Sequence, residues 1–485
     1  MKKIQPKIAD QLREWFKDSS DLVIKEKAYA DSQGVQSLVF LYCSNLVDIK
    51  YMNDVIFPAI KNIMLENGQL NKHDLLNELE VTQPEEQGQL KTEAEQKLFS
   101  GELLILNPEN NEIFFSSVSN IPKRSPEESN IETSIRGPRD GLVESLSDNM
   151  ALIRQRLKSS SLKSIEYSIG EVSRTKMTLL YMENKIDSCV LEEAKKRLGS
   201  IKLDIVASNS EIEELLYDKT FSLFPLMDSS GRPDFAVNAL TQGSFVILVD
   251  GNPTCLVGPI TFSHLLYSAE DLHDSFFYIS IIRLLRMGAF LTTIFLPGFY
   301  IALITFQLDQ IPYPLIATIS VSRIGLPLSA PVETVIMLIL FELFKEAGVR
   351  LPKAVGQTVA VLGGLFIGDA AIRAGLTSPS CLVIIAITVI SGYTLINQNI
   401  SGNIVILRYF VLIISSIFGM YGFFISLFLI LTSVVSLESF GQSYVSYLIK
   451  PNLGDRIRSA IKQPFQLLTR KNRTHTLLGN DRQKE

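Results

Sequence analysis

Five charged side chains, Arg323, Glu333, Glu342, Asp369 and Arg373, stand in or beside runs that are otherwise apolar. Charge in an apolar run is costly, and where a chain keeps it the charge usually faces a bundle interior or a water-filled cavity. Asp369 and Arg373 are four residues apart with the acid first, the order that pairs best along one helix face. The chemistry on offer is that of an ion path or a buried ion pair, not of bond making. Just before them runs 355-VGQTVAVLGGLFIGDAAIRAGLTSP-379, with four glycines ahead of its first charge.

Three readings compete for this stretch. A phosphate-cradling loop needs a lysine after the glycines, and a dinucleotide fingerprint needs GxGxxG; neither is present. A packing seam fits better, because Gly356, Ala360, Gly364 and Gly368 recur every four residues and share one helix face, which lets helices approach closely in lipid. A pathway lining fits as well, with Asp369 and Arg373 at its mouth; alternatively these two mark the interfacial end of a helix. Seam and pathway are compatible on different faces.

Elsewhere the sequence offers little chemistry. Cys43, Cys189, Cys255 and Cys381 lie far apart with no CxxC pair, and the four histidines are scattered. Widely spaced cysteines suggest no disulfide framework or zinc site. No Ser-His-Asp set or carboxylate pair stands out in residues 1–286. The expectation is a protein that is not an enzyme, without cofactor, metal or nucleic-acid partner.

The elements that must carry the charges divide sharply. Residues 1–286 are mixed and charge-rich, whereas 287–449 hold twelve charged side chains in 163 positions. That shift reads as a soluble module followed by a membrane module. In the first module, residues 1–30 read as a partly helical lead-in. SLVFLYC (37–43) is strand-like, NDVIFPAIKNIML (53–65) helical, and 102–118 a hairpin. After a polar, proline-containing linker at 121–130 come a helix over 141–157 and strands SLKSIEYSI and TKMTLLYME. A helix CVLEEAKKRLGSI, a strand KLDIVA, a helix capped at Ser210 with Glu213, and a hairpin over 245–260 follow.

The expected fold is a two-lobed α/β N-terminal domain followed by a polytopic α-helical membrane domain of about five apolar segments. The boundaries fall at 1–130, 131–280, 281–449 and a basic tail, 450–485. The segments are 287–306, kinked near Pro297–Gly298; 331–344; 354–368; 380–396, a clean span; and 409–437. The last would be about 43 Å long as one helix, so tilt or a break at Gly419–Gly422 is expected. Basic residues flank the bundle at both ends, which puts both termini in the cytoplasm. Five segments cannot do that. Either one is re-entrant or 403–437 folds back as two short helices.

The stretches 134-SIRGPRDGLVESLSDNMALIRQRL-157, 223-LFPLMDSSGRPDFAVNALTQGSFVILVDGNPTCLVGP-259, 297-PGFYIAL-303, 323-RIGLPLSAPVE-333 and 352-PKAVGQTVAVLGGLFIGDAAIRAGLTSP-379 together resemble the A subunit of GerA-type spore germinant receptors. The likeness spans about 134–440; residues 1–130 are less recognisable. It implies a cytoplasmic region of two α/β lobes and a membrane bundle in the inner membrane of the dormant spore. The implied partners are an integral-membrane B subunit that binds the nutrient, a C-subunit lipoprotein, membrane lipid, and further copies of the chain in a nutrient-gated channel. Residues 354–372 match the family's proposed pore helix. On that basis Val359, Val361, Leu362, Leu365 and Phe366 are the candidate pore lining, since an apolar constriction can gate by dewetting. The alternatives are a transporter-like or scaffolding subunit without a pore; transporters commonly show paired internal repeats, and none is visible here.

Overall fold

In a computed structural model the described residues are 8–31, 34–67, 81–84, 90–108, 110–120, 136–206, 208–219, 221–350, 368–395 and 398–445. They form two units, the first built mainly from Met1–Thr220 and Ser229–Ile260, the second from Phe221–Asp228 and Thr261–Lys471.

The first unit holds two five-stranded sheets. One has the order β1-β2-β4-β5-β3, from β1 (Leu22–Asp31), β2 (Gly34–Cys43), β3 (Val81–Thr82), β4 (Glu102–Asn107) and β5 (Glu112–Ser117), all antiparallel. Side chains alternate across a strand, and here both faces are covered. Leu38, Phe40, Leu103, Ile105 and Phe114 pack with Ile60 and Met64 of helix Phe57–Asn67. Val39, Leu41, Leu104, Leu106 and Phe115 pack with Leu12 of helix Ile8–Trp15 and Ala94 and Leu98 of helix Leu90–Leu98. Burial on both faces is why SLVFLYC and ELLILN are unbroken apolar runs.

The second sheet has the order β6-β7-β9-β10-β8, with β6 (Leu162–Ile169), β7 (Thr175–Met182), β8 (Asp228–Ser230), β9 (Phe245–Val249) and β10 (Cys255–Gly258). Helices Leu146–Arg156, Ser188–Ser200, Asn209–Leu216 and Pro233–Gln242 accompany it. Three expectations are corrected. Residues 22–31 are a full strand rather than a lead-in. KLDIVA forms no strand; the carbonyls of Leu203 and Asp204 instead accept from the N–H groups of Glu171 and Val172. The helix expected to be capped by Ser210 starts two residues earlier, where Ser208 accepts from Glu211 N–H.

One buried ion pair joins the lobes. Arg154, on helix Leu146–Arg156, donates from Nε to Asp21 Oδ2 at 2.6 Å and from Nη2 to Oδ1 at 2.9 Å. Ser164 of β6 donates to Asp21 Oδ1 at 2.8 Å, and Arg154 Nη1 donates to the Ser159 carbonyl. The guanidinium lies over the Phe99 ring, 4.5 Å from its centroid. Burial pushes the Asp21 carboxyl up, but Arg154 and the hydrogen bonds outweigh it and hold it below the usual carboxylate range. Burial, with the Asp21 carboxylate beside it, pushes the Cys43 thiol far up, so it is a neutral neighbour of the pair.

The second unit is helical: α8 (Phe276–Phe306), α9 (Tyr313–Ser322), α10 (Ala330–Arg350), α11 (Pro379–Tyr393) and α12 (Gln398–Val435), numbering the seven helices named above as α1 to α7. Among the described residues two helices, Phe276–Phe306 and Gly402–Val435, are long and apolar enough to cross a membrane. The 15-residue α11, about 22 Å long at 1.5 Å per residue, is shorter than the clean span expected at 380–396. α8 is assigned as one continuous helix through Pro297.

Contacts give the directions of these helices. Thr293 meets Gly392 and the Thr388 carbonyl, while Tyr300 meets Ser380, so α11 runs antiparallel to α8. A Cβ on Gly298 would lie 2.7 Å from Val411 and 3.0 Å from the Ser415 hydroxyl; α8 and α12 approach closely here, at a glycine outside the expected seam. At Gly419, with φ 61° and ψ −140°, α12 breaks. Gly419 sits on the Phe306 ring, yet Phe423 is back beside Phe299 and Phe295, at 5.3 and 6.0 Å between ring centroids. Tyr444 then accepts at its carbonyl from Phe262 N–H, and Phe262 packs on Phe290. The chain therefore reverses at Gly419 and returns along α8 to the level of Phe290. Residues 403–437 thus fold back at Gly419 as two helical segments.

Candidate functional site: the buried charges of the helical unit

Glu333, in the first turn of α10, is fully buried. Its Oε1 accepts from the Thr377 hydroxyl at 2.9 Å, the Ser378 N–H at 2.6 Å and the Ser378 hydroxyl at 2.8 Å. Arg323 Nη1 lies 3.1 Å from Oε2. Ser378 is the N-cap of α11 and also accepts from Cys381 N–H. The carboxylate thus sits on the positive end of a helix, where orphan N–H groups and the helix dipole favour an anion. Ser380 continues the polar chain to the Tyr300 hydroxyl at 3.1 Å. The arrangement clamps α10, α11 and the Arg323 turn together. Glu333→Ala removes the acceptor and strands Arg323, so a loss of about 3–5 kcal/mol is expected, as for breaking a buried pair. The check is the monodisperse fraction of the detergent-solubilised chain on heating, with Asp369→Ala as the exposed control.

Glu342 lies farther along α10 and pairs with Arg408 of α12, Nη2 to Oε1, at 2.6 Å. The Arg408 side chain is 3% exposed and that of Glu342 28%. The two line a small cavity with Thr293, Lys345 and Tyr393. Asp369 and Arg373 do pair, Nε to Oδ2 at 2.8 Å, but with 58% and 78% of their side chains exposed; among the described residues neither joins the buried network. Gly368 touches Leu382. Gly356, Val359, Ala360, Val361, Leu362, Gly364, Leu365 and Phe366 lie outside the described residues. Their described flanks lie near opposite ends of α11: Lys345 lines the cavity with Tyr393, whereas Ala371 packs with Tyr300 and Cys381.

Arg408, Thr377, Ser378 and Tyr300 are the site residues that sequence reasoning missed. Arg408 had a signal, since it directly precedes the twenty-nine uncharged residues 409–437. Asp271 was missed as well. It is buried and accepts from Arg286 at 3.0 Å and lies 3.4 Å from Arg283, so the two flanking arginines of the first apolar run are held at their base.

Around an apolar core that includes Ile301, Leu338 and Ile385, the unit buries charge and exposes large apolar side chains. Glu333 and Arg408 are buried, while Ile324, Leu343, Val383, Ile390, Ile417, Phe424 and Phe428 are exposed. Large contiguous apolar surfaces mark interaction with lipid or protein, and buried charge inside them marks a functional interior.

Comparisons with known proteins agree on one family. A family profile described as Bacillus/Clostridium GerA spore germination protein matches residues 10–474. The chain is 39% identical over 475 residues to spore germination protein XA of Bacillus anthracis, covering 98% of this chain and 96% of that protein. It is 34% identical over 454 residues to spore germination protein KA of Bacillus subtilis strain 168, covering 92% and 82%. Among solved structures, the N-terminal domain of the A subunit of the Bacillus megaterium spore germinant receptor GerK3 aligns with a TM-score of 0.40 at 23% identity, covering 52% of this chain and 94% of that one.

Proposed function

We propose that this chain, which belongs to the GerA spore germination protein family, is the A subunit of a nutrient receptor in the inner membrane of the spore. In this reading copies of the chain assemble with an integral-membrane B subunit and a lipoprotein C subunit and enclose a nutrient-gated ion path. It acts without catalysis. The observation that carries the membrane placement is the exposed apolar surface of the helical unit, with Glu333 and Arg408 buried beneath it. The reversal at Gly419 supports both termini on the cytoplasmic side, because the last helical segment runs back along α8 toward its N-terminal half.

The Glu333 clamp gives such a bundle a rigid frame, and the resemblance of 354–372 to the family's proposed pore helix favours this stretch as the conducting element. Val361 and Leu362 then form the apolar constriction. Gating requires that the nutrient-bound complex contact the open and closed arrangements differently. The expected result of Val361→Ser or Leu362→Ser is ion release without nutrient, since a polar ring no longer dewets. Release from spores, followed with a potassium electrode across a scan of Val359–Phe366, checks this. A scan in which no substitution alters release, with or without nutrient, removes the pore assignment.

A further inference from the structure

The two arginines that precede the charge-free run 287–306 do not face outward. Arg286 donates from Nη1 to the Leu266 carbonyl and to Asp271 Oδ1, both at 3.0 Å. Arg283 Nε lies 3.4 Å from Asp271 Oδ2, and its guanidinium covers the Tyr267 ring, 5.0 Å from the centroid. The Arg286 and Arg283 side chains are 11% and 17% exposed. Another face of the same turns of α8 carries Phe277, Tyr278, Ile281, Leu284 and Leu285, each more than half exposed. These positions follow helical spacing and lead on to Leu291, also exposed, with no charged side chain among them. A helix that runs from a bilayer into water turns a polar face outward. Here the outward face stays apolar for nearly three turns before residue 287.

Length decides what covers this face. α8 has 31 residues, about 46 Å at 1.5 Å per residue. The uncharged residues 287–306 alone match the hydrocarbon, about 30 Å, whereas the whole helix matches the bilayer with both head-group layers, about 40–45 Å. Leu291 is the middle residue of α8, and half the hydrocarbon thickness is about ten helical residues. Centred on the bilayer, the helix therefore meets the hydrocarbon edge near Ile281 rather than at Arg286, with Phe277 and Tyr278 in one interfacial layer and Phe306 in the other. Aromatic side chains concentrate in such layers. Charge is tolerated at that depth where it is paired and faces protein, and Asp271 pairs both arginines.

We propose that Phe277, Tyr278, Ile281, Leu284 and Leu285 form a membrane-interface contact, lying in the head-group layer and the adjoining edge of the hydrocarbon. This rests on the membrane reading given above. The occupant is lipid because the face is one unbroken stripe with the exposed side of the same helix beyond it, and because its aromatic end falls at the depth that the helix length assigns to head groups. The Asp271 cluster holds the two arginines against a carboxylate and a carbonyl of this chain, so they seat the helix rather than bind head groups. The depth of the chain in the bilayer is then set by aromatic residues ahead of the charge-free run, not by the basic residues that flank it.

The test uses the full chain in phosphatidylcholine vesicles with iodide on both sides, in a Trp15→Phe background that removes the single tryptophan. Phe277→Trp and Leu284→Trp place a fluorescent reporter on the stripe, where both positions are exposed and a larger ring displaces no core. Val383→Trp, exposed on α11, reports the bundle surface, and Ile205→Trp, exposed in the first unit, reports water. Phe277→Trp is expected to lose most of its emission to lipid brominated near the head group, less to lipid brominated deep in the acyl chains, and little to iodide. Leu284→Trp should respond to both bromine depths, and Ile205→Trp to iodide alone. Stripe reporters quenched by iodide and unmoved by brominated lipid put the face in water and overturn the proposal. Stripe reporters shielded from iodide and from brominated lipid alike mean that a partner helix or a second copy covers the face, and overturn it too. If one stripe variant fails to fold, the other carries the measurement. A Val383→Trp chain unmoved by either bromine depth defeats the membrane reading instead.

Discussion

Arg154→Met is expected to cost the first unit about 3–5 kcal/mol, the usual penalty for stranding one member of a buried pair. Asp21 would keep the Ser164 hydroxyl at 2.8 Å and the weak Cys43 thiol contact at 3.6 Å, but lose both guanidinium bonds. The single tryptophan, Trp15, packs against the core of the first lobe and reports its unfolding in urea by fluorescence. The double variant Asp21→Leu/Arg154→Met should recover much of the loss, because replacing a buried pair by apolar groups is often close to neutral. The pH dependence has a definite sign. Asp21 is held below its ordinary 3.8, so the pair's contribution is fully present above that value and disappears as pH falls through the lower folded-state value. A single variant within 1 kcal/mol of wild type (far under the expected penalty) would mean the lobes are joined by other contacts.

The second large effect is expected at Gly419. Its φ of 61° with ψ −140° lies where residues with a Cβ are strained, at about 1–3 kcal/mol. A Cβ there would also lie 2.8–3.0 Å from the Phe306 ring, and overpacking adds about 1–3 kcal/mol. Gly419→Ala should therefore open the reversal and leave residues 420–435 unable to return along α8. A cysteine at Ser443, labelled from outside sealed inverted or right-side-out vesicles, reads which end it reaches. Wild type should label from the same side as a cysteine at His273, and Gly419→Ala should lose that agreement in part of the population. Phe306→Ala in the Gly419→Ala background should restore some of it by relieving the ring contact while leaving the dihedral strain. Unchanged labelling in Gly419→Ala would mean the turn tolerates a side chain.

What the sequence made legible follows from physics that is local. SLVFLYC and ELLILN announce doubly buried strands because period and burial are written into a few neighbours. The break at Gly419–Gly422 was visible because 409–437 exceeds one membrane thickness. Residues 22–31 were harder. As an edge strand β1 carries Lys25, Glu26 and Lys27, charges that protect an exposed edge and also erase the apolar signal.

Contacts distant in sequence were not legible at all. Asp21 and Arg154 are 133 residues apart, Glu342 and Arg408 66, and no periodicity links them. Glu333 illustrates the same limit from the other side. Its type and its apolar setting marked it as buried charge, but its partners come from the turn before α10 and from the cap of α11. For Asp369 and Arg373 the helical spacing foretold their pairing, while their exposure depended on the rest of the bundle.

In the function proposed above, this subunit, assembled with its partners, conducts ions when nutrient is bound. The most direct measurement is nutrient-triggered potassium flux from vesicles holding the purified receptor complex, with wild-type chain or Leu362→Ser. Flux far above carrier turnover is expected on adding nutrient to wild type, and flux without nutrient in Leu362→Ser. Flux limited to carrier rates, or absent in both, would contradict it.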